Sequence, residues 1–275
     1  KSGLKGSFTY NTDFAEAEVD DRQVNLTRFP LKLEEKRNFF LEGSSVYSFA
    51  NSNGVIPFFS RRIGISEGNK IPISYGGRLN GQVGDYEMGL MNLTTDKSEN
   101  IPAENFQIAR VKKSMFKQSY LGIIYTGRSA KTDSIYQDQN LFGIDFDYST
   151  ASFRGDKNFQ FQTFFVGHNS NSKLSETFFD LSSRGVRFSY PNDLWYAHAS
   201  YRELGDSFDP AMGFIPRNGF KRFQPTIKYK PRPEILKIVR QLEFGAELEN
   251  MTNNDGKLIK QETKFHLLKI KFENG

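Results

Sequence analysis

Chemistry needs reactive groups held close together, and the sequence offers few such constellations. The three imidazoles, His168, His198 and His266, lie far apart, and no pair has the i, i+4 spacing of a helical metal site. Each is read as a satisfied polar residue. With no cysteine in the chain, disulfides, zinc–thiolate sites and thiol nucleophiles are excluded. No nucleophile elbow and no phosphate-binding glycine loop is present. The acidic patch Asp13, Glu16, Glu18, Asp20 and Asp21 has oxygen ligands enough for Ca²⁺. It lacks the ordered loop such a site uses, so it reads as solvated or Arg-paired. Asp145 and Asp147 share one strand face about 7 Å apart, as i and i+2 residues do. That geometry fits a polar lining, while a glycosidase-type carboxylate pair stays open. The basic groups Arg61-Arg62, Arg217 and Lys221-Arg222 suit anionic sugars or lipopolysaccharide phosphates, or carboxylates that fix a segment in place. No metal and no cofactor is expected.

The elements that must position these residues are strands. In 141–148, Phe142, Ile144, Phe146 and Tyr148 alternate with Gly143, Asp145 and Asp147. Period two gives one apolar face and one charged face. The pattern recurs in stretches near 3–12, 73–81, 106–114, 120–127, 158–167, 195–202, 220–229, 241–249 and 259–270. Further stretches start at Tyr86 and Val186. Tight turns are expected at Gly81–Asp85 and Thr150–Lys157, and at Pro191-Asn-Asp193. Connections alternate short and long, as in outer-membrane barrels with short periplasmic turns and long external loops. No run of 18 apolar residues occurs, and mean hydropathy is −0.58, but a barrel strand needs only about ten residues, half of them polar. The 27 Phe and 12 Tyr suit strands and membrane interfaces. The net charge of +5 is spread through 32 acidic and 37 basic residues, so a nucleic-acid partner is not expected. The fold expected is all-β: an antiparallel up-and-down outer-membrane β-barrel of about 11–12 strands. It opens inside a strand and ends without closure, so it is expected to be excised from a longer chain.

Segment 13–72 lacks the alternation. Parity starts and ends it on the external rim, and it is too long for a simple surface loop. It is expected to fold inward as a plug or constriction, with a helical turn near 33–42. Its binding or gating candidates are Asp20, Asp21, Arg22, Arg28, Glu35, Lys36, Arg37, Phe39, Phe40, Arg61 and Arg62, joined by Arg217. The lumen-lining candidates are Arg78, Asp145, Asp147, Gln160, Gln162, His198, Arg202, Glu243 and Glu247. Aromatics in 39–59 are candidates for stacking on sugar faces.

Several words of the sequence are specific. Glu18-Val-Asp-Asp-Arg-Gln-Val-Asn-Leu-Thr-Arg-Phe-Pro-Leu31 is followed by Glu35-Lys-Arg-Asn-Phe-Phe-Leu-Glu-Gly43. Ile56-Pro-Phe-Phe-Ser-Arg-Arg-Ile-Gly64 and Phe208-Asp-Pro-Ala-Met-Gly-Phe-Ile-Pro-Arg217 complete the set. Together, across about 4–230, they resemble domain-of-unknown-function family 5916, a bacterial family. The chain departs from it at Leu33-Glu34, where an aromatic-proline pair is expected. The resemblance implies an outer-membrane-type barrel, and a periplasmic domain like carbohydrate-binding family 9 earlier in the parent chain. It carries over no catalytic residues.

The function expected is binding or passage of a substrate, perhaps a glycan, at the bacterial outer membrane. Two alternatives stand beside it. A barrel-embedded hydrolase requires two carboxylates, or a Ser and a His, converging in one pocket. An assembly scaffold requires no pocket and a large apolar patch outside the membrane belt. A soluble β-sandwich is the alternative fold. The partners expected are the lipid bilayer, a glycan ligand and the periplasmic carbohydrate-binding domain of the parent chain.

Overall fold

The computed structural model describes residues 3–12, 30–50, 54–66, 69–98, 101–130, 138–169, 177–236 and 238–273. The strands are β1 (Gly3–Thr12), β2 (Ile65–Ser66), β3 (Asn69–Lys70), β4 (Ile73–Val83), β5 (Tyr86–Thr95), β6 (Glu104–Met115) and β7 (Ser119–Ala130). They continue as β8 (Gln139–Phe153), β9 (Lys157–His168), β10 (Ser182–Pro191), β11 (Trp195–Leu204), β12 (Phe220–Tyr229), β13 (Val239–Thr252) and β14 (Leu258–Phe272). Among the described residues between β1 and β2 are one short helix, α1 (Asn38–Leu41), and two 3-10 turns, Ser44–Tyr47 and Ser60–Arg62. No helix among the described residues is long and apolar enough to cross a membrane.

Twelve strands form one antiparallel up-and-down sheet in the order β1-β4-β5-β6-β7-β8-β9-β10-β11-β12-β13-β14. β2 and β3 make a separate small hairpin. Neighbours in the sheet from β4 onward are neighbours in sequence, which is what short connections favour. The sheet is not closed into a barrel: β1 pairs only with β4 and β14 only with β13, so it is open at both edges. Turn positions also differ from those expected. β4 runs on to Val83 and turns at 84–85, and β8 and β9 extend until only 154–156 separates them. Backbone pairing there continues past the apolar alternation, because ladder hydrogen bonds do not need apolar side chains.

The sheet buries one face. Phe49, Val55 and Phe208 share a cluster with Ile124 of β7, Leu141 of β8, Phe164 of β9, Leu204 of β11 and Phe220 of β12. Met251 of β13 and Ile259 of β14 pack against the same cluster. In a flat sheet β7 and β14 would stand about 34 Å apart at the usual strand spacing. Sharing one cluster means that the sheet curves around it. A second cluster joins Phe40, Tyr47, Ile63 and Met212 to Ile73, Met91, Leu93, Phe106 and Ile108 of β4–β6. The concave face is therefore covered by residues from 30–50, 54–66 and the connection 205–219.

Candidate functional site on the covered face of the sheet

The deepest feature of the covered face is an ion pair. Arg110 of β6 donates to both carboxylate oxygens of Asp145 of β8, at 2.6 and 2.9 Å, with side chains 0% and 1% exposed. The intervening strand β7 makes room through Gly122, where a Cβ would stand 2.6 Å from Arg110 Nη1 and 2.6 Å from Asp145 Oδ1. The Tyr120 hydroxyl donates to Asp145 at 3.0 Å. The pair also grips the segment: the Ala50 amide donates to Asp145 at 3.1 Å, and Arg110 Nε donates to the Ser48 carbonyl at 3.1 Å. A buried pair tolerates its desolvation when its remaining lone pairs and protons are used in this way. Lys112, one inward position along, donates to the Ser45 carbonyl and the Ser48 hydroxyl.

Two further guanidiniums organise the segment. Arg37, buried, forks onto Glu35 at 2.8 and 2.7 Å and donates to the carbonyls of Ile63 and Ser60 at 2.7 and 2.8 Å. Its guanidinium carbon lies 4.2 Å from the Phe40 ring centre. Burial alone would raise the Glu35 carboxyl, but the Arg37 fork and the Ser60 hydroxyl hold it below its ordinary value. Arg78 of β4 donates to the carbonyls of Phe39 and Glu42 and forms an ion pair with the Glu42 carboxylate. Gly43, at φ +67, takes the left-handed turn that starts the 3-10 turn, with Asn80 packed where a side chain would sit. Burial pushes the Tyr47 hydroxyl up to about 12, so it stays protonated and donates to the Leu90 carbonyl at 3.2 Å.

The sequence words meet here. The Phe59 amide donates to the Met212 carbonyl at 2.7 Å, the Phe214 amide to Ile56 at 2.8 Å, and Arg62 Nε to Gly213 at 3.1 Å. Words 56–64 and 208–217 thus pair through their backbones, and Arg37 joins 35–43 to them. His168 supports the connection from β9, accepting the Asp209 amide at Nε2 (3.1 Å) and donating from Nδ1 to the Asn169 carbonyl (2.9 Å).

Of the expected gating residues, Asp20, Asp21, Arg22 and Arg28 lie outside the described residues. Glu35, Arg37, Phe40 and Arg62 are structural members of the interlock. Lys36 is beside it, with its amide on Glu35, and Phe39 packs edge-on against Phe40. Arg61 donates to the Glu34 carbonyl, and Arg217 is half-buried at the end of the connection. All nine expected lining residues fall on the covered face by alternation and register. Asp147 accepts from Ser149, Gln160 and Gln162. Asp145 and Asp147 are both fully engaged, so neither is poised for glycoside hydrolysis. His198 Nδ1 lies 3.3 Å from Ser189 Oγ, but Arg187 Nε, not a carboxylate, is its second neighbour at 3.2 Å. Glu243 and Glu247 pair with Lys228, and Glu247 also with His266. Sequence reasoning missed Arg110, Tyr120 and Arg187. Arg110 follows the inward positions 106 and 108 of an apolar strand face, and that break was the signal.

The aromatics expected to stack on sugars are mostly framework. Phe40, Tyr47 and Phe49 are only 4–5% exposed. Phe58 and Phe59, half-buried, border a cavity of about 620 Å³ with Lys32, Glu35 and Ser60.

The opposite face of the sheet is apolar and open. Phe142, Ile144, Ile123, Phe188, Ile227 and Phe265 lie on it, with Phe142 64% and Ile227 51% exposed. At the short-turn rim its aromatics touch one another: Phe116 with Tyr148, Phe153 with Phe159 and Tyr190, and Trp195 with Tyr229.

No curated protein and no solved structure matches the chain. A family model does match, over residues 1–80, leaving the 208–217 word outside its span. Over residues 1–80 the chain therefore carries the match its sequence words led us to expect, to the family described as a domain of unknown function, DUF5916.

Proposed function

We propose that the sheet is the wall of an outer-membrane β-barrel and that segment 30–66, interlocked with 205–219, is a plug against its polar inner surface. The protein would bind or pass a polar substrate, a glycan in our reading, at the outer membrane. One observation carries this: the face of the sheet that nothing covers is apolar, although the covered face already holds the hydrophobic clusters. A soluble antiparallel sheet packs one face on its core and wets the other, which is then polar. Here the buried ion pair and the charged side chains face the covered side, while Phe142, Ile144, Phe188 and Ile227 point away from it. Each such side chain gains about 1.5–3 kcal/mol on leaving water, which a hydrocarbon layer supplies. The aromatic rim supports the same reading, since rings gather where acyl chains meet head groups. The sorting of short turns to one rim also fits.

The test is ion conductance of the full-length parent protein in planar bilayers, with and without residues 13–72. A closed intact protein and a steady pore after deletion support the wall and the plug together. Failure of both forms to insert removes the proposal.

A further inference from the structure

On the concave face the cations of β12–β14 have acidic partners: Lys228 bonds Glu247 at 3.0 Å, and Lys260 bonds Glu249 at 2.7 Å and Glu262 at 2.8 Å. The neighbouring stretch β9–β12 breaks that rule. Among the described residues, Arg187 of β10 donates only to Ser189 and His198, both at 3.2 Å. Arg202 of β11 has no hydrogen bond and no ion pair among the described residues, and its Nε is buried and unpartnered. Its guanidinium carbon lies 5.4 Å from the Phe220 ring centre. Arg222 stands directly opposite Arg202 in the ladder, and Arg187 is its diagonal neighbour across Ser200. Like charges directly opposite are destabilising, and Glu249, which lies within electrostatic reach of both, makes its direct ion pair with Arg222 at 2.7 Å. No carboxylate occupies an inward position of β9–β12. Glu203, next to Arg202 in sequence, points to the other face and binds Arg184 at 2.6 Å. Gly54 of the covering segment comes up against this place: a Cβ on it would lie 2.7 Å from Arg202 Nη1.

We propose that Arg187, Arg202 and Arg222 form a binding site for an oxyanion, a carboxylate or sulfate carried by a polar, saccharide-sized ligand. It rests on the reading of the concave face as the substrate path and names the substrate's charge. Guanidinium forks bind such groups through two parallel hydrogen bonds, and Arg187 and Arg202, on adjacent strands and without a direct carboxylate contact among the described residues, leave a place for one.

The test uses the full chain in detergent, with inorganic sulfate as the probe and chloride at equal ionic strength as its control. D-glucuronate against D-glucose follows. Sulfate and glucuronate are expected to raise the unfolding midpoint where chloride and glucose do not. Arg202→Gln and Arg187→Gln are expected to weaken sulfate binding at least tenfold. Without sulfate, Arg202→Gln is expected to raise the midpoint, because repulsion from Arg222 is relieved; a merely structural arginine would lower it. Arg202→Lys keeps the charge without the fork and is expected to lose sulfate affinity at an unchanged midpoint. Equal effects of sulfate and chloride, or wild-type binding by the Gln variants, overturn the site. If Arg202→Gln does not fold, Arg187→Gln decides alone. Vesicle insertion without a sulfate response removes this site and leaves the membrane reading. A sulfate response in a protein that does not insert does the reverse.

Discussion

Replacing Asp145 with Asn tests how the segment is held to the sheet. The change keeps the shape and removes the charge. Arg110, with a side chain 0% exposed, is left as an uncompensated buried cation. Breaking one partner of a buried pair costs about 3–5 kcal/mol, because the other charge stays desolvated. The same carboxylate accepts the Ala50 amide and the Tyr120 hydroxyl, and an Asn can satisfy only part of that set. The loss is expected first as release of residues 45–50, since Ser48 and Ala50 bond directly to the pair. Hydrogen exchange at the Ala50 amide reads it. At about 1.4 kcal/mol per decade, 3–5 kcal/mol accelerates exchange about 150-fold to 4,000-fold. Gly122→Ala should act in the same direction, by placing a methyl group between Arg110 Nη1 and Asp145 Oδ1. The double replacement Arg110→Met with Asp145→Leu should recover much of the loss, because no charge is then stranded. Exchange at Ala50 within about fivefold of wild type in Asp145→Asn would refute this account of the anchor.

Gly143→Val should push the segment off the sheet without touching a charge, since a Cβ there meets Phe49 at 3.0 Å and Ile124 at 2.9 Å; a loss of about 1–3 kcal/mol in urea unfolding is expected. Glu35 has its folded pKa depressed, so its contribution is present above the ordinary value of 4.5 and lost as pH falls through the folded value. Hydrogen exchange at the Arg37 amide, which donates to Glu35, should therefore speed up relative to its intrinsic rate as pH falls through that value, while Glu35→Gln exchanges quickly at pH 6.5 as well. Ile144→Lys on the open face should cost about 2–4 kcal/mol of stability in vesicles, against less than about 0.5 kcal/mol for an exposed site in water.

Much of the sheet was legible, because alternation is local. β1 and β12 lie where their patterns place them, and Phe142 to Tyr148 with Asp145 and Asp147 gave the faces of β8 correctly. Strand ends were less legible, since Gln82-Val83 and Ser152-Phe153 pair by backbone after the alternation stops. Closure was not legible, because whether β1 meets β14 depends on curvature accumulated over the whole sheet. The Arg110–Asp145 anchor depends on register across β7, and its local traces were the charge at inward position 110 and the glycine at inward position 122. The interlock of 56–64 with 208–217 joins segments about 150 residues apart through backbone bonds, which leave no mark in side-chain pattern. The unusual composition of both words was visible; their contact was not.

The central claim is that the apolar face meets lipid. Because the chain has no cysteine, single cysteines can be placed at Ile144 and Ile227 and labelled with a polarity-sensitive fluorophore in the full-length protein. Quenching by doxyl-labelled acyl chains in reconstituted vesicles, with little quenching by aqueous iodide, is the result this account predicts. Quenching by iodide alone, or a protein that stays in the soluble fraction, would contradict it.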